Sequence, residues 1–202
     1  MNTITEFIHD IDAGKVPDTT RRKILLAATG VMGGAGLLAT SIPFVESLQP
    51  SEAARARGGP IDVDVGTLAA GELRTVEWRG KPVWLMRRTD AMVRALQAPN
   101  AHLADPLSRR SVQPATCLNP TRSERADLFV AVGICTHLDC TPTLRLSDAA
   151  LNAELQAPGG FLCPCHGSRF DLAGRVVKTV PAPTNLDIPD YRFTSVTTLK
   201  IG

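Results

Sequence analysis

Two short segments of this 202-residue chain combine cysteine and histidine at spacings typical of metal ligands. Residues 135–140 read Cys-Thr-His-Leu-Asp-Cys, and residues 163–168 read Cys-Pro-Cys-His-Gly-Ser. Each segment offers one cysteine and one histidine as ligands and holds one further cysteine. A fold that places these segments side by side could hold a metal ion between them, and this possibility constrains the fold more than any other feature of the sequence.

The candidate ligands admit more than one metal. Two thiolates and two imidazoles are a common donor set for a structural zinc ion. The same side chains suit a [2Fe-2S] cluster that has thiolates on one iron and imidazoles on the other. The doubled spacing favours the iron-sulfur interpretation, and the alternatives are a zinc site or two unrelated disulfides. The candidate ligands are Cys135, His137, Cys163 and His166.

The two motifs are followed by a proline segment, Val180-Pro181-Ala182-Pro183. Together they resemble the family of Rieske iron-sulfur subunits of the cytochrome bc complex, ubiquinol-cytochrome c reductase, and the resemblance covers nearly the whole chain. It implies an all-β fold: a Rieske-type antiparallel β-sandwich head over residues 61–202 with a small cluster-binding subdomain at about 130–185. One N-terminal transmembrane helix precedes the head.

The resemblance also assigns the ligands of one Rieske [2Fe-2S] cluster per chain. Cys135 and Cys163 are expected to bind the buried iron, and His137 and His166 the outer iron. The imidazole edges are then expected at the protein surface.

Further site residues take their roles from the same resemblance. Cys140 and Cys165 are expected to form a disulfide that links the two segments. Ser168 matches a family serine that donates a hydrogen bond to a bridging sulfide. Many members have a tyrosine where this chain has Phe170, so we expect a lower reduction potential than in those relatives. The proline segment is expected to cover the cluster.

The activity implied by the resemblance couples electron transfer to proton transfer. His166 is expected to take the proton of ubiquinol while the cluster takes one electron, and His137 is the second exposed imidazole. The head then delivers the electron to a c-type cytochrome subunit. Cytochrome b is expected to complete the quinol pocket within a dimeric complex.

A basic stretch precedes an apolar one near the N-terminus. Residues 20–23 include Arg21, Arg22 and Lys23, and residues 24–45 have no charged side chain. As a helix, this apolar stretch extends roughly 33 Å, enough to cross a hydrocarbon core of about 30 Å. The arginine pair resembles a twin-arginine export signal. Cleavage at residues 53–56 is the alternative to a retained anchor.

The chain therefore divides into a cytoplasmic tail (1–20), a signal and anchor (21–45), a flexible hinge (46–60) and the head (61–202). The hinge is small and polar and ends in Gly-Gly-Pro, a composition typical of linkers. The basic flank predicts a single-pass protein of the bacterial inner membrane, with its N-terminus in the cytoplasm and its head in the periplasm.

Hydrophobic periodicity predicts the elements around the motifs. Alternating residues at 61–65 and 74–78 indicate antiparallel strands, and the apolar run 128–132 indicates a buried strand leading into Cys135. Helices are predicted at 90–98, capped by Thr89 or Asp90, and within 148–156. Further predictions are a hairpin over 170–177, closing strands over 191–201, and a polar excursion over 99–125 that is long enough to indicate function or contact.

Composition excludes some classes of protein. A formal net charge of +2 without a basic stripe gives no footprint for nucleic acid. The fifth cysteine, Cys117, is predicted to be a small buried apolar residue.

Two other classes of Rieske protein are alternative interpretations of the sequence. A soluble Rieske ferredoxin usually lacks the anchor and the extra cysteine pair. The Rieske small subunit of another periplasmic oxidoreductase, such as arsenite oxidase, is the alternative to the quinol enzyme.

Overall fold

The computed structural model describes residues 19–202, except for the side chains of residues 55–57. The chain divides into an N-terminal unit that ends at Glu52 and a head that begins at Ala53. Most of the predicted cytoplasmic tail, residues 1–18, lies outside the described residues.

The N-terminal unit contains one long helix, α1, Thr19–Ser47. Its apolar side chains are exposed along its length. At about 1.5 Å per residue the helix is roughly 43 Å long. Among the described residues it is the one helix whose length and composition suffice to cross a membrane. The predicted N-terminal apolar helix is confirmed.

The head consists of short strands and helices. Among the described residues these are, in chain order, α2 (Glu52–Arg57), β1 (Ile61–Asp64), β2 (Leu73–Trp78), β3 (Lys81–Arg87), α3 (Asp90–Gln97), β4 (Leu128–Val132), β5 (Thr143–Arg145), α4 (Ala149–Leu155), β6 (Gly160–Leu162), β7 (Arg169–Phe170), β8 (Tyr191–Phe193) and β9 (Thr198–Ile201).

The strands pair in three antiparallel sheets, which confirms the predicted all-β, antiparallel head. Their orders are β1-β9-β8, β2-β3-β4 and β5-β6-β7. In the first sheet Ile61 pairs with Ile201, so the start of the head is joined to the end of the chain. The third sheet contains the strands on either side of the second cysteine-histidine segment.

The second sheet contains a tight hairpin between β2 and β3. Its turn residues, Arg79 and Gly80, both have positive φ values, 52° and 70°. Two left-handed residues form a turn whose twist matches that of the flanking strands. Strand β4 is buried along its whole length and pairs with β3 from Val83↔Val132 onward. The chain therefore leaves β4 for the first cysteine-histidine segment from a fixed position.

The short helices begin where the sequence predicts. The Thr89 side chain accepts a hydrogen bond from the Met92 backbone N–H at the start of α3, 3.3 Å. The Asp148 carboxylate does the same for the Leu151 N–H at the start of α4, 3.0 Å. Such caps satisfy N–H groups that have no partner within the helix. Both predicted helices are confirmed.

The predicted polar excursion, residues 99–125, packs against other parts of the head. Leu103 forms an isolated bridge with Val177, which follows the second cysteine-histidine segment in the chain. A 3₁₀ turn at Ala115–Cys117 places Cys117 in the core with no exposed surface. The prediction that Cys117 is a buried apolar residue is confirmed.

Candidate metal centre

The first ligand loop, residues 135–140, joins β4 to β5. The Cys135 N–H donates a hydrogen bond to the Cys140 carbonyl, 2.7 Å, and the Asp139 N–H donates to the Cys135 carbonyl, 3.1 Å. Asp139 has a φ of 61°. Aspartate tolerates this left-handed conformation better than most residues. The loop is therefore closed on itself and presents His137 between its two cysteines.

The second ligand loop, residues 163–168, joins β6 to β7 and is closed in the same way. The Cys163 N–H donates to the Ser168 carbonyl, 2.8 Å, and the Gly167 N–H donates to the Cys163 carbonyl, 3.0 Å. Gly167 has a φ of 72°, a conformation that costs glycine little. This closure presents His166 at the surface.

A disulfide joins the two loops. Cys140 and Cys165 are bonded with an S–S distance of 2.03 Å and a Cα–Cα distance of 6.6 Å. The bond links residues 25 positions apart in the chain. The separation of the loops is thus held by a covalent bond as well as by packing.

The remaining cysteines and histidines of the loops are separated by depth. Cys135 and Cys163 are 1% and 2% exposed. His166 is exposed and His137 half-buried, and their ring centroids are 4.8 Å apart at an interplanar angle of 86°. The sulfur donors therefore lie inside the head, and the nitrogen donors lie together at its surface.

The environment of the thiols fits a bound metal. Burial raises the pKa of the Cys135 thiol, and the side chain of Cys163 raises it further, while the His137 backbone N–H and the Ser168 hydroxyl act in the opposite direction. A coordinated metal ion reverses such a shift, because a coordinating thiol is deprotonated. Two buried thiols and two surface imidazoles fit a [2Fe-2S] cluster with mixed ligands.

Another group of sulfur atoms does not form a ligand set. The Sγ atoms of Cys140, Cys163 and Cys165 lie within 4.8 Å of one another. Two of them are bonded in the disulfide, so only Cys163 can supply a thiolate. The ligand set must therefore draw on Cys135 and the histidines.

The proline segment lies against both loops. The Ser168 hydroxyl, which is fully buried, accepts a hydrogen bond from the Ala182 N–H, 3.1 Å. From the first loop, the Thr136 hydroxyl donates to the Thr184 carbonyl, 2.7 Å. We call residues 181–184 the cover. One hydrogen bond from each loop fixes it in place.

The end of the cover is anchored by Asn185, which has no exposed surface. Its Oδ1 accepts from the Val176 N–H, 2.8 Å. Its Nδ2 donates to the Asp105 carbonyl, 3.0 Å, and to the Ser108 hydroxyl, 2.8 Å. The amide thus ties the cover to the excursion and to the chain that follows β7.

The structure brings the cysteines and histidines of the two motifs together, with Ser168 behind them. Sequence reasoning did not identify Thr136 or Asn185 as site residues. Thr136 lies between two candidate ligands, so its position was a usable signal. Asn185 follows the proline segment without a recognisable motif, and nothing in its spacing indicates three buried hydrogen bonds.

Comparison with known proteins agrees with this geometry. Residues 115–192 match the Rieske [2Fe-2S] domain, and residues 12–51 match a family described as the ubiquitinol-cytochrome C reductase Fe-S subunit TAT signal. The ubiquinol-cytochrome c reductase iron-sulfur subunit of Allochromatium vinosum is 50% identical over 182 residues, 90% of this chain and 88% of that protein.

A second relative and a solved structure match similar shares of this chain. The ubiquinol-cytochrome c reductase iron-sulfur subunit of Blastochloris viridis is 37% identical over 186 residues, 92% of this chain and 94% of that protein. A chain of a solved structure titled "Hyperthermophilic respiratory Complex III" is 26% identical, with a TM-score of 0.46, and the match covers 88% of this chain and 98% of that one.

The paired loops and the domain match define an iron-sulfur protein of the Rieske class, whose cofactor is a [2Fe-2S] cluster. The alignment to the Allochromatium vinosum protein covers nine-tenths of the chain, and residues 12–51 match the family's signal model. The chain belongs to the family of ubiquinol-cytochrome c reductase iron-sulfur subunits. This membership supports the quinol enzyme over the arsenite oxidase alternative.

Proposed function

We propose that this chain is the electron-transfer subunit of a ubiquinol-cytochrome c reductase. It takes one electron from ubiquinol and passes it to a c-type cytochrome subunit. The observation that carries the proposal is the division of the site by depth. Two buried thiols lie behind two imidazoles whose ring centroids are 4.8 Å apart at the surface.

The ligands follow from this division. Cys135 and Cys163 would hold the inner iron, and His137 and His166 the outer iron. When bound, the [2Fe-2S] cluster supplies a centre that accepts and donates one electron. The thiols are shielded from water, so they are protected from exchange and oxidation. The imidazoles are accessible to a substrate.

The exposed imidazole of His166 carries the proton step. With the cluster bound, the free ring nitrogen of His166 would accept a hydrogen bond from the quinol hydroxyl and take its proton. His137 lies beside it and completes the surface that the quinol meets. Because proton and electron leave the quinol for adjacent groups, the transfer avoids a large separation of charge.

The subunit operates within an assembly and on a membrane. Cytochrome b completes the quinol pocket, a c-type cytochrome receives the electron, and the complex is a dimer. Helix α1 spans the bacterial inner membrane once, with its N-terminus in the cytoplasm. The support is the apolar helix, the match to the family's signal region over residues 12–51, and the basic residues at 21–23.

We propose the following division of the chain: residues 1–20 form the cytoplasmic tail, 21–45 the signal and anchor, and 46–60 a flexible hinge. Residues 61–202 form the periplasmic head, with the cluster-binding subdomain at about 130–185. Protease added to intact spheroplasts should release the head and leave the anchor in the membrane. Protection of the head in spheroplasts would contradict the orientation.

A redox titration of the purified complex tests the function. Reduction is accompanied by proton uptake at the ligand histidines, so the midpoint potential should fall as pH rises through the alkaline range. Metal analysis of the same sample should find iron rather than zinc, and the complex should reduce cytochrome c with ubiquinol. A midpoint potential that is independent of pH, or zinc in place of iron, would refute the proposal.

A further inference from the structure

Two arginines are buried in the head without a carboxylate partner. Arg88 is 3% exposed and Arg122 has no exposed surface. Neither forms an ion pair with a carboxylate in the described part of the chain, whereas the neighbouring Arg175 does, with its Nε 2.6 Å from Asp171. Burying an unpaired charge is costly, so these two cations need an explanation.

Neutral oxygen atoms surround both guanidinium groups. Arg88 donates hydrogen bonds to the carbonyls of Leu172, Thr121 and Ala126 and to the Ser123 hydroxyl, at 2.8 to 3.1 Å. These bonds orient the side chain. They do not neutralise its charge.

Arg122 is held in the same manner. It donates to the carbonyls of Ala173, 3.1 Å, Gly174, 3.3 Å, and Leu186, 2.8 Å. Its Nε donates to the Gln113 side chain, 2.8 Å. The two arginines together thus donate hydrogen bonds to all three carbonyls of the turn 172–174. This turn follows β7, which itself follows the second ligand loop.

The nearby charges do not cancel. Burial lowers the pKa of Arg88 to about 9 and that of Arg122 to about 10, and the negative charge of Asp171 opposes both shifts. Both groups therefore stay protonated near neutral pH. Three cations, Arg88, Arg122 and Arg175, surround Asp171, and Asp187 also interacts with Arg122, so the arginines outnumber the carboxylates near them.

Two aromatic rings connect Arg88 to the strand that precedes the second ligand loop. The Arg88 guanidinium carbon lies 4.8 Å from the ring centroid of Phe129, and the Phe129 and Phe161 centroids are 5.9 Å apart. Phe161 lies on β6, two residues before Cys163, and both rings are fully buried. In such a medium a charge acts more strongly than in water and is little screened by salt.

We propose that the positive charges of Arg88 and Arg122 raise the reduction potential of the cluster held by the two ligand loops. Reduction adds one negative charge, so a fixed positive charge behind the loops favours the reduced form. The inference rests on the ligands assigned under the proposed function. The two charges would raise the reduction potential in this chain, which has no tyrosine at position 170.

Two variants of Arg122 that differ in charge test the inference in the intact complex. Arg122→Met removes the charge and the hydrogen bonds, whereas Arg122→Lys removes most of the hydrogen bonds and keeps the charge. We expect the midpoint potential to fall in Arg122→Met and to stay near the wild-type value in Arg122→Lys. The fall should persist in 1 M salt. Arg192→Met, an exposed arginine on β8, is the control and should leave the potential unchanged.

Two results would overturn the proposal. One is an equal fall in the Met and Lys variants, which would show that the hydrogen bonds matter and the charge does not. The other is an unchanged potential in Arg122→Met. If that variant assembles no cluster, Asp171→Asn decides, because it removes the opposing negative charge while keeping an acceptor oxygen. A higher potential supports the proposal, and an unchanged or lower one overturns it.

Failure of this inference is distinguishable from failure of the proposed function. The function is tested on the wild-type complex, by its iron content, its turnover with ubiquinol and the pH dependence of its potential. The inference concerns only the difference in potential between variants that retain the cluster. A wild-type complex can therefore pass the first test while the arginine variants fail the second.

Discussion

The two ligand loops share one backbone design. In each, the N–H of the first cysteine donates to the carbonyl of the sixth residue, from Cys135 to Cys140 and from Cys163 to Ser168. In each, the N–H of the fifth residue donates back to the first, and that fifth residue has a positive φ. The same closed turn therefore serves twice.

The loops differ in what the sixth residue does. Cys140 forms the disulfide to the other loop, whereas the Ser168 hydroxyl bonds the cover. The third position also differs, since it is His137 in the first loop and the disulfide partner Cys165 in the second. The second loop accordingly has its histidine one position later, at His166. One backbone thus supports different tasks, a covalent link in the first loop and a polar contact in the second.

The largest expected effect comes from removing the two loop histidines, which tests whether both are needed for cluster assembly. We propose that both imidazoles bind the outer iron, so His137→Ala and His166→Ala should each abolish cluster assembly. Iron content and the electron paramagnetic resonance signal of the purified complex measure this loss. His102→Ala is the control, because His102 is exposed and lies outside both loops.

An asymmetric result would break the comparison. If His166→Ala retained a normal cluster and normal quinol turnover, its role as ligand and proton acceptor would be wrong. Loss of the cluster in His102→Ala would instead indicate a general folding defect.

The second prediction concerns the covalent link between the loops. The double variant Cys140→Ser/Cys165→Ser removes a cross-link that closes a loop across a separation of 25 residues. We expect the free energy of unfolding of the head to fall by about 3 kcal/mol. Chemical denaturation measures this change. Visible circular dichroism should show faster loss of the cluster.

The single variant Cys117→Ser is the control for the double variant, because Cys117 is buried outside both loops and forms no disulfide. Equal stability and equal cluster lifetime in the double variant and the wild type would show that packing alone sets the separation of the loops.

Sequence patterns predicted these loops because metal ligation and strand burial leave local signatures. The spacing of Cys135 and His137 indicates ligands, and the run at 128–132 indicates a buried strand. The predicted hairpin over 170–177 is confirmed: Phe170 bridges Val176, and on either side of that bridge the Asp171 N–H donates to the Arg175 carbonyl, 2.9 Å, and the Val177 N–H donates to the Arg169 carbonyl, 3.0 Å. At its turn the Asp171 carboxylate also accepts hydrogen bonds from the N–H groups of Ala173 and Arg175.

Long-range polar contacts leave no such signature. From the sequence alone, Arg88 and Arg122 would be placed at the protein surface, because a lone arginine in a polar stretch is usually solvated. Their acceptors lie up to 84 residues away in the chain. Asn185 likewise bonds Asp105 and Ser108 across about eighty residues. Only the folded chain shows which polar residues are buried.

The third prediction sharpens the contrast at the sixth loop position. Ser168→Ala removes a hydroxyl that bonds the cover and interacts with the Cys135 sulfur. A hydrogen bond to a charged group contributes about 1.5 to 3 kcal/mol. For one electron this corresponds to a fall in midpoint potential of about 60 to 130 mV. A redox titration measures it.

Ser168→Thr is the matched variant, since it restores the hydroxyl. Its potential should be closer to that of the wild type than the potential of Ser168→Ala. A potential that is unchanged in Ser168→Ala would show that this hydroxyl serves only the cover.

The fourth prediction concerns a hydrogen-bond donor introduced on β7, just after the second ligand loop. Phe170 is fully buried on β7, two residues after Ser168. Phe170→Tyr offers a phenolic hydroxyl to a ligand sulfur and should raise the midpoint potential by about 60 mV, the equivalent of one modest hydrogen bond. Phe193→Tyr, on β8, is the control. No change or a fall in Phe170→Tyr would refute this account of position 170.

The smallest expected effect concerns the hydrogen bond from the first loop to the cover. Thr136→Val keeps the shape of the side chain and removes its bond to the Thr184 carbonyl. We expect the free energy of unfolding to fall by about 1 kcal/mol. The cluster should also be lost faster at high temperature, because water then reaches the buried thiols more often. Thr143→Val is the control, since it removes a comparable bond to the Leu162 carbonyl outside the cover. Equal rates of cluster loss in both variants would show that the cover is held from the second loop alone.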